Sequence, residues 1–345
     1  YEEIASLGAG ESERVDLTLL FNSTVLDITE GERVDATVTV SYTGAAGSSE
    51  ESATETMIFY DRHAIRWDDT NKVAAFVTER DEQVRSFGRR ILAAVHDEQN
   101  GAVDPAFQDA MAMFVGMVEA DLMYISDPSS SYASASSNAA TIDYLQFPSQ
   151  TLALYGGDCD DLSVCFAALL ESIGRRTAFV TVPGHIMPAV ALEMSDTEAR
   201  SAFADVTDLV FDNDDVWVPV EITALESSFY EAWQEGAKKY RQYSGSGQAE
   251  IYPTATAWAT YESVASVVDS TVEQPDRSEI ESEFADALRE FVTTQIASRE
   301  LQFIADLEEK PGDRRLLNRL GVLYAQYGLW DKAKTQFETI VANEQ

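Results

Sequence analysis

The sequence predicts an α+β fold, on three observations. Alternating β-rich runs gather in residues 14–67, apolar stripes at helical spacing fill the middle and the end, and three more strand-like runs follow one another between residues 177 and 223. At 345 residues the chain is too long for one ordinary core. It reads as three regions, 1–75, 76–270 and 271–345.

Val15–Leu20, Val34–Val40 and Thr56–Tyr60 are the N-terminal strands, separated by Gly, Ser and Asn, with 43–52 as a polar tip. They predict a β-sandwich-like domain over 1–75, whose role is packing or spacing. Helices are predicted over 80–96 and 104–125; in the second, Phe107, Met111, Phe114, Val118 and Leu122 form one stripe. Its methionines read as core filling. Residues 126–140, rich in Ser and Ala, read as a loop that either covers a site or is plain surface. A helix over 160–173 carries Leu162, Phe166, Leu169, Leu170 and Ile173 on one face and stops at Gly174. Cys165 joins that face as an inert core residue. A strand at 177–182, a Pro183-Gly184 turn and a strand at 186–194 come next. An acidic insertion spans 195–215. The strand at 216–223 contains Pro219, a sign of an exposed edge or a bulge. From Glu279 the chain is helical, split at Pro311-Gly312-Asp313.

With 24 Lys+Arg against 60 Asp+Glu, the formal charge is −36, which repels nucleic acid and anionic lipid and excludes them as partners. The acid reads as a solvated coat, such as a saline habitat favours. The alternative is a divalent cation, optionally Ca²⁺, at Asp212, Asp214 and Asp215, a set without the Gly and distal Glu of a calcium loop. No apolar run reaches the roughly 18 residues a membrane span requires. Two cysteines are too few for a disulfide scaffold or a zinc cage. Six residues apart on one helix they lie about 9 Å apart, beyond the ~7 Å reach of a disulfide. The acidic, lysine-poor composition and the β-domain point to an extracytoplasmic place, periplasmic or cell-surface, in a bacterium. The opening Tyr1 reads as a trimmed or mature form.

Cys159 follows Gly156-Gly157-Asp158 and opens a predicted helix, whose free N–H groups and dipole favour a thiolate and can hold an oxyanion. Asp158, Asp160 and Asp161 oppose the thiolate if they point inward. Of the three histidines, His63 and His96 read as surface residues. His185 starts the strand that returns over the helix N-terminus, where it can take the thiol proton. Glu221 alternates with Val218, Val220 and Ile222, on the face of Trp217 and Thr223. An acid in so apolar a strand needs a partner, either His185 or a salt bridge at the sheet edge.

Gly157-Asp158-Cys159-Asp160-Asp161, Gly184-His185 and Trp217-Val218-Pro219-Val220-Glu221-Ile222-Thr223 together resemble the transglutaminase-like core over about residues 80–225. The resemblance implies a papain-like fold, a Cys helix packed on an antiparallel sheet, with Cys159, His185 and Glu221 as catalytic residues. Glu221 stands where Asp is usual. The resemblance also places an oxyanion donor upstream of the Cys; Tyr144, Gln146 and Gln150 are candidates, with Gly157 and Trp217 as further substrate-side candidates. It implies a thiol enzyme acting on peptide or glutamine carboxamide bonds through a thioester, with hydrolysis favoured over amine transfer and no cofactor required. Leu320, Gly321, Tyr324, Ala333 and Phe337 in 314–345 resemble a tetratricopeptide repeat, whose usual role is to bind a protein partner. One repeat cannot bury its own face, so it packs on the preceding helix or belongs to a longer array. The rival reading is a catalytically silent scaffold that binds proteins through the β-domain and these helices.

Overall fold

The computed structural model describes residues 1–127, 132–138, 140–264 and 271–342, apart from the side chain of Ser23. They belong to two compact units, Tyr1–Ala64 and Ile65–Gln345.

In the first unit the β-formers pair as one antiparallel hairpin, β1 (Glu32–Gly44) with β2 (Gly47–Phe59). The strands run through the predicted polar tip and leave only Ala45-Ala46 as the turn, followed by Gly47 at φ +113°. Hydroxyl pairs across one face support that extension: Thr37–Thr54 at 3.0 Å, Thr39–Ser52 at 3.1 Å and Thr43–Ser48 at 3.0 Å. The predicted sandwich does not form. Residues 15–20 are irregular and exposed, and no hydrophobic side chain described in 1–64 is buried, so there is no core for two sheets to enclose. β-propensity is expressed only where a strand finds a partner and a covered face.

The second unit opens with α1 (Glu82–Val95) and α2 (Pro105–Glu119), N-capped by Asp81 and Asp104. Asp104 Oδ1 accepts from the Ala106 and Phe107 amides at 2.8 and 3.0 Å, and Pro105 suits the first turn. α2 ends before the predicted residue 125 because Asp121 turns the chain at φ +57°; Leu122 is buried, but beyond the helix. Then follow β3 (Met123–Tyr124), α3 (Tyr132–Ala135), α4 (Pro148–Ala153) and β4 (Gly156–Gly157), which pairs in parallel with β3.

α5 (Cys159–Ser172) is the centre of the unit. The periodicity predicts one apolar face, but residues 159–170 are buried all round, because α1, α2, α4 and the sheet all pack on them. The sheet consists of β5 (Thr177–Val182), β6 (His185–Ala191), β7 (Val210–Asp212), β8 (Asp215–Pro219) and β9 (Glu250–Pro253), ordered β9-β5-β6-β8-β7 and antiparallel throughout. Pro183-Gly184, with Gly184 at φ +72°, joins β5 to β6 in register Val182↔His185. β8 is interior rather than an edge. β7 covers it only from Asp215 to Trp217, so Pro219 pairs with Ala189 on one side and needs no N–H on the other. The acidic insertion supplies this edge strand and α6 (Asp196–Ala202).

The two faces of the sheet bury different sets. Phe179, Ile186, Val190, Val216 and Val218 join the main core with α5. Ala178, Val180, Met187, Ala189 and Trp217 form a second cluster, covered in part by Tyr240 and Tyr243 of α7 (Phe229–Ser244). The C-terminal helices are not a separate body. α8 (Arg277–Glu309) buries Ile280, Phe284 and Phe291 and packs on α1 and α2. α9 (Arg314–Gln326) and α10 (Trp330–Ala342) cross at Gly321, where a Cβ would lie 2.7 Å from Phe337. Asn100 Nδ2 donates to Tyr327 O at 2.8 Å and Tyr327 Oη donates to Ala202 O at 3.1 Å, tying the pair to the rest of the unit. No described helix is long and apolar enough to cross a membrane.

Candidate active site

Cys159 is the first residue of α5, 7% exposed, with Asp158 as the N-cap. The preceding glycines permit a close approach. A Cβ on Gly156 would lie 2.3 Å from Met123 O, and one on Gly157 2.4 Å from Asp161 Cβ. Gly157 O accepts from Ile125 N at 2.8 Å, so the loop before the thiol is held by β3 and by α5 itself. The start of β6 lies over this end of the helix. Ser163 Oγ donates to Ile186 O at 3.4 Å, and the Ile186 N–H is directed at the Cys159 thiol.

His185 Nε2 is 2.7 Å from Glu221 Oε2. Glu221 is not inside the strand; it lies two residues past the end of β8, with its N–H on Ala232 O of α7 at 2.9 Å. Its carboxylate is fully engaged: Oε2 also takes Lys239 Nζ at 2.6 Å, and Oε1 takes the Thr223 hydroxyl and the Thr223 N–H, the latter at 3.2 Å. Burial alone would raise this carboxyl. The bond and charge of His185, then Lys239 and Thr223, reverse that and hold it at about 2. With Nε2 given to Glu221, Nδ1 is the nitrogen left to face a thiol. Among the described residues no hydrogen bond joins the His185 ring to Cys159 Sγ. His63, read as a surface residue, is buried, while His96 is exposed.

The three aspartates around Cys159 are all buried. Asp161 accepts from the Gln146 N–H and from its side-chain Nε2, each at 2.7 Å, and from the Asp158 N–H at 3.3 Å. Burial nevertheless pushes it to about 7. Asp160 is pushed well above the carboxylate range by burial first and by Asp158 next, and neither of its oxygens has a donor among the described residues. The nearness of the Asp158 carboxyl is thus the second cause, after burial, of the rise at Asp160. Burial, then Asp160 and Asp158, also raise the Cys159 thiol; the Ile186 N–H works the other way. Cys165 is buried and raised by burial as well, with its thiol on Pro148 O at 3.8 Å.

The substrate-side candidates are scattered. Gln146 is committed to Asp161, and Gln150 Oε1 caps α4 by accepting from Phe147 N at 3.0 Å. Tyr144 is exposed. Trp217 is 1% exposed in the second cluster, on the α7 face, with Nε1 unpaired among the described residues; it lines no site. The residues that do feel Cys159 are Tyr124 and Tyr132, each raised by burial first and by Cys159 next. Tyr132 also stacks edge-on against Trp67 with centroids 4.7 Å apart. Both tyrosines flank the Ser-rich loop, part of which, 128–131 and 139, lies outside the described residues. That loop position was the only available signal for them, and nothing in the sequence singles out Lys239.

The suggested cation set does not assemble. Asp212 and Asp215 pair across the β7–β8 hairpin, and Asp215 bridges Arg176 at 2.8 Å. Among the described residues, Asp158, Cys159 and Asp160 alone bring three such ligand atoms within reach of one another, at the positive end of a helix, which disfavours a cation. No protein-family model, no curated protein and no solved structure matches the chain.

Proposed function

We propose that this protein is a thiol enzyme of the transglutaminase-like kind, in which Cys159 attacks a peptide or glutamine carboxamide carbonyl. The observation that carries the reading is the 2.7 Å bond between His185 and Glu221 at the strand end that lies over the Cys159 helix N-terminus. In the reaction Sγ bonds the carbonyl carbon as its proton passes to His185 Nδ1. The C–N bond then breaks, and the amine leaves with that proton. Water opens the resulting thioester to the acid, ahead of an amine acceptor, and Cys159 regains its proton. The Sγ–Nδ1 contact has to close for this, as catalytic hydrogen bonds of apo enzymes commonly do on binding substrate.

Alkylation by iodoacetamide at neutral pH tests it, with buried Cys165 as the internal control. Cys159 is expected to react at least about tenfold faster than Cys165, and His185→Ala to remove most of that difference. Equal, slow reaction at both thiols, together with a Cys159→Ala variant that keeps any amide turnover, would sink the proposal.

A second reading has its own support in the buried, raised thiol among acids and in an apolar groove of about 620 Å³ on the C-terminal helix pair, lined by Ala325, Trp330, Ala333, Phe337 and Val341. In it the core is a scaffold and the groove takes a protein partner. Trp330→Ala would then weaken partner capture while Cys159→Ala leaves it intact; the reverse pattern argues for the enzyme.

A further inference from the structure

The Oε2 oxygen that orients His185 is shared. Lys239 Nζ, at 2.6 Å, is as close to it as His185 Nε2, at 2.7 Å. The lysine is brought there by α7. Ala232, Gly236 and Lys239 are spaced four and three residues apart and so lie on one helix face. Ala232 O receives the Glu221 N–H, and Gly236 lets the backbones close: a Cβ there would lie 2.7 Å from Pro219 O and 3.0 Å from Glu221 N. The helix is thus docked on the segment that carries Glu221, and Lys239 extends the contact to the carboxylate.

We propose that Lys239 is a positioning residue of this site, one that fixes the Glu221 carboxylate toward His185 and sets how much negative charge the imidazole meets. The proposal rests on reading His185 and Glu221 as the base and its orienting acid, but not on the identity of the substrate. The titratable groups that interact with Glu221 or Cys159 are His185 and Lys239 at the carboxylate, and Asp158, Asp160, Tyr124 and Tyr132 around the thiol. Lys239 is the lysine that meets the Glu221 carboxylate. Removing its charge leaves the whole carboxylate charge to the ring and favours the imidazolium. Because the Lys239 side chain is 31% exposed, solvent screens the effect, and a shift of about one pH unit, a tenfold change in protonation, is the scale to look for.

The test is an NMR titration of the His185 ring in the full chain, assigned with His185→Gln, in wild type, Lys239→Met and Lys239→Arg. The His185 midpoint is expected to rise by about one unit in Lys239→Met and to stay at the wild-type value in Lys239→Arg. Lys239→Gln replaces Lys239→Met if the thermal melt of the latter shows that it fails to fold. An unmoved midpoint in the uncharged variant, or an equal rise in Lys239→Arg, overturns the proposal. Wild-type thiol alkylation and amide turnover are measured alongside. Their absence would remove the enzymatic reading while leaving the titration decisive for Lys239.

Discussion

Glu221 and Asp160 are buried to almost the same depth, and burial pushes both carboxyls up. Yet they end shifted in opposite directions, Glu221 down and Asp160 up. Glu221 receives four donors, two of them from cationic or basic groups, and is held ionised. Asp160 receives none among the described residues, faces Asp158, and is pushed up. Depth therefore does not decide the charge of a buried acid; the donors that meet it do. One cluster gives the imidazole a carboxylate held low by its donors, while the other sets the thiol among buried acids that, after burial itself, raise it.

The sharpest way to break that contrast is at Glu221. Its folded carboxyl lies at about 2 against an ordinary 4.5, so its stabilisation is present above 4.5 and lost as pH falls toward 2. That shift corresponds to roughly 3 kcal/mol. Urea unfolding of the wild type should show this loss across the window, and Glu221→Gln should lower stability at pH 7 by a similar amount and flatten the curve; a wild-type curve already flat from 4.5 to 2 refutes the assignment. The next effect belongs to Asp160, where the sign reverses. Its raised carboxyl means that wild-type stability declines as pH rises past the ordinary aspartate value. Asp160→Asn, which keeps a donor toward Asp158, should match the wild type near pH 4 and exceed it by about 1 kcal/mol at pH 8. The same variant should raise the Cys159 alkylation rate at pH 8 by up to about tenfold, since Asp160 is the first cause after burial that raises the thiol; a slower rate would mean that Asp160 assists the thiol. The smallest effect is at Trp217, whose buried Nε1 has no partner among the described residues. Trp217→Phe should change unfolding free energy by no more than about 1 kcal/mol and leave alkylation untouched; a loss of reactivity would return Trp217 to the site.

Much of the second unit was legible in the chain. The Pro183-Gly184 turn, the strand at 177–182 and the helix predicted over 160–173 follow from signals that act over a few residues, and the folded elements lie close to those bounds, whereas the helix predicted over 104–125 stops at Glu119. Glu221 was legible as an acid in an apolar run that needs a partner. The misreadings share one cause. Residues 15–20 have strand propensity but no covered face, and Trp217, a substrate-side candidate, lies on the face of the sheet that α7 closes. Lys239, Tyr124 and Tyr132 carry no periodic or motif signal, because what makes them neighbours of the site is the docking of distant elements.

The sequence by itself determined the local elements and the two ends of the chemistry: a cysteine opening a helix and a histidine opening the second strand after it. Caps, turns and periodicity are short-range, so they could be read without the fold. Only the tertiary structure decided the charge of each buried acid. Protonation depends on donors brought in from other segments, such as Lys239 from α7 to Glu221, and on their absence around Asp160 among the described residues, and no spacing along the chain encodes either.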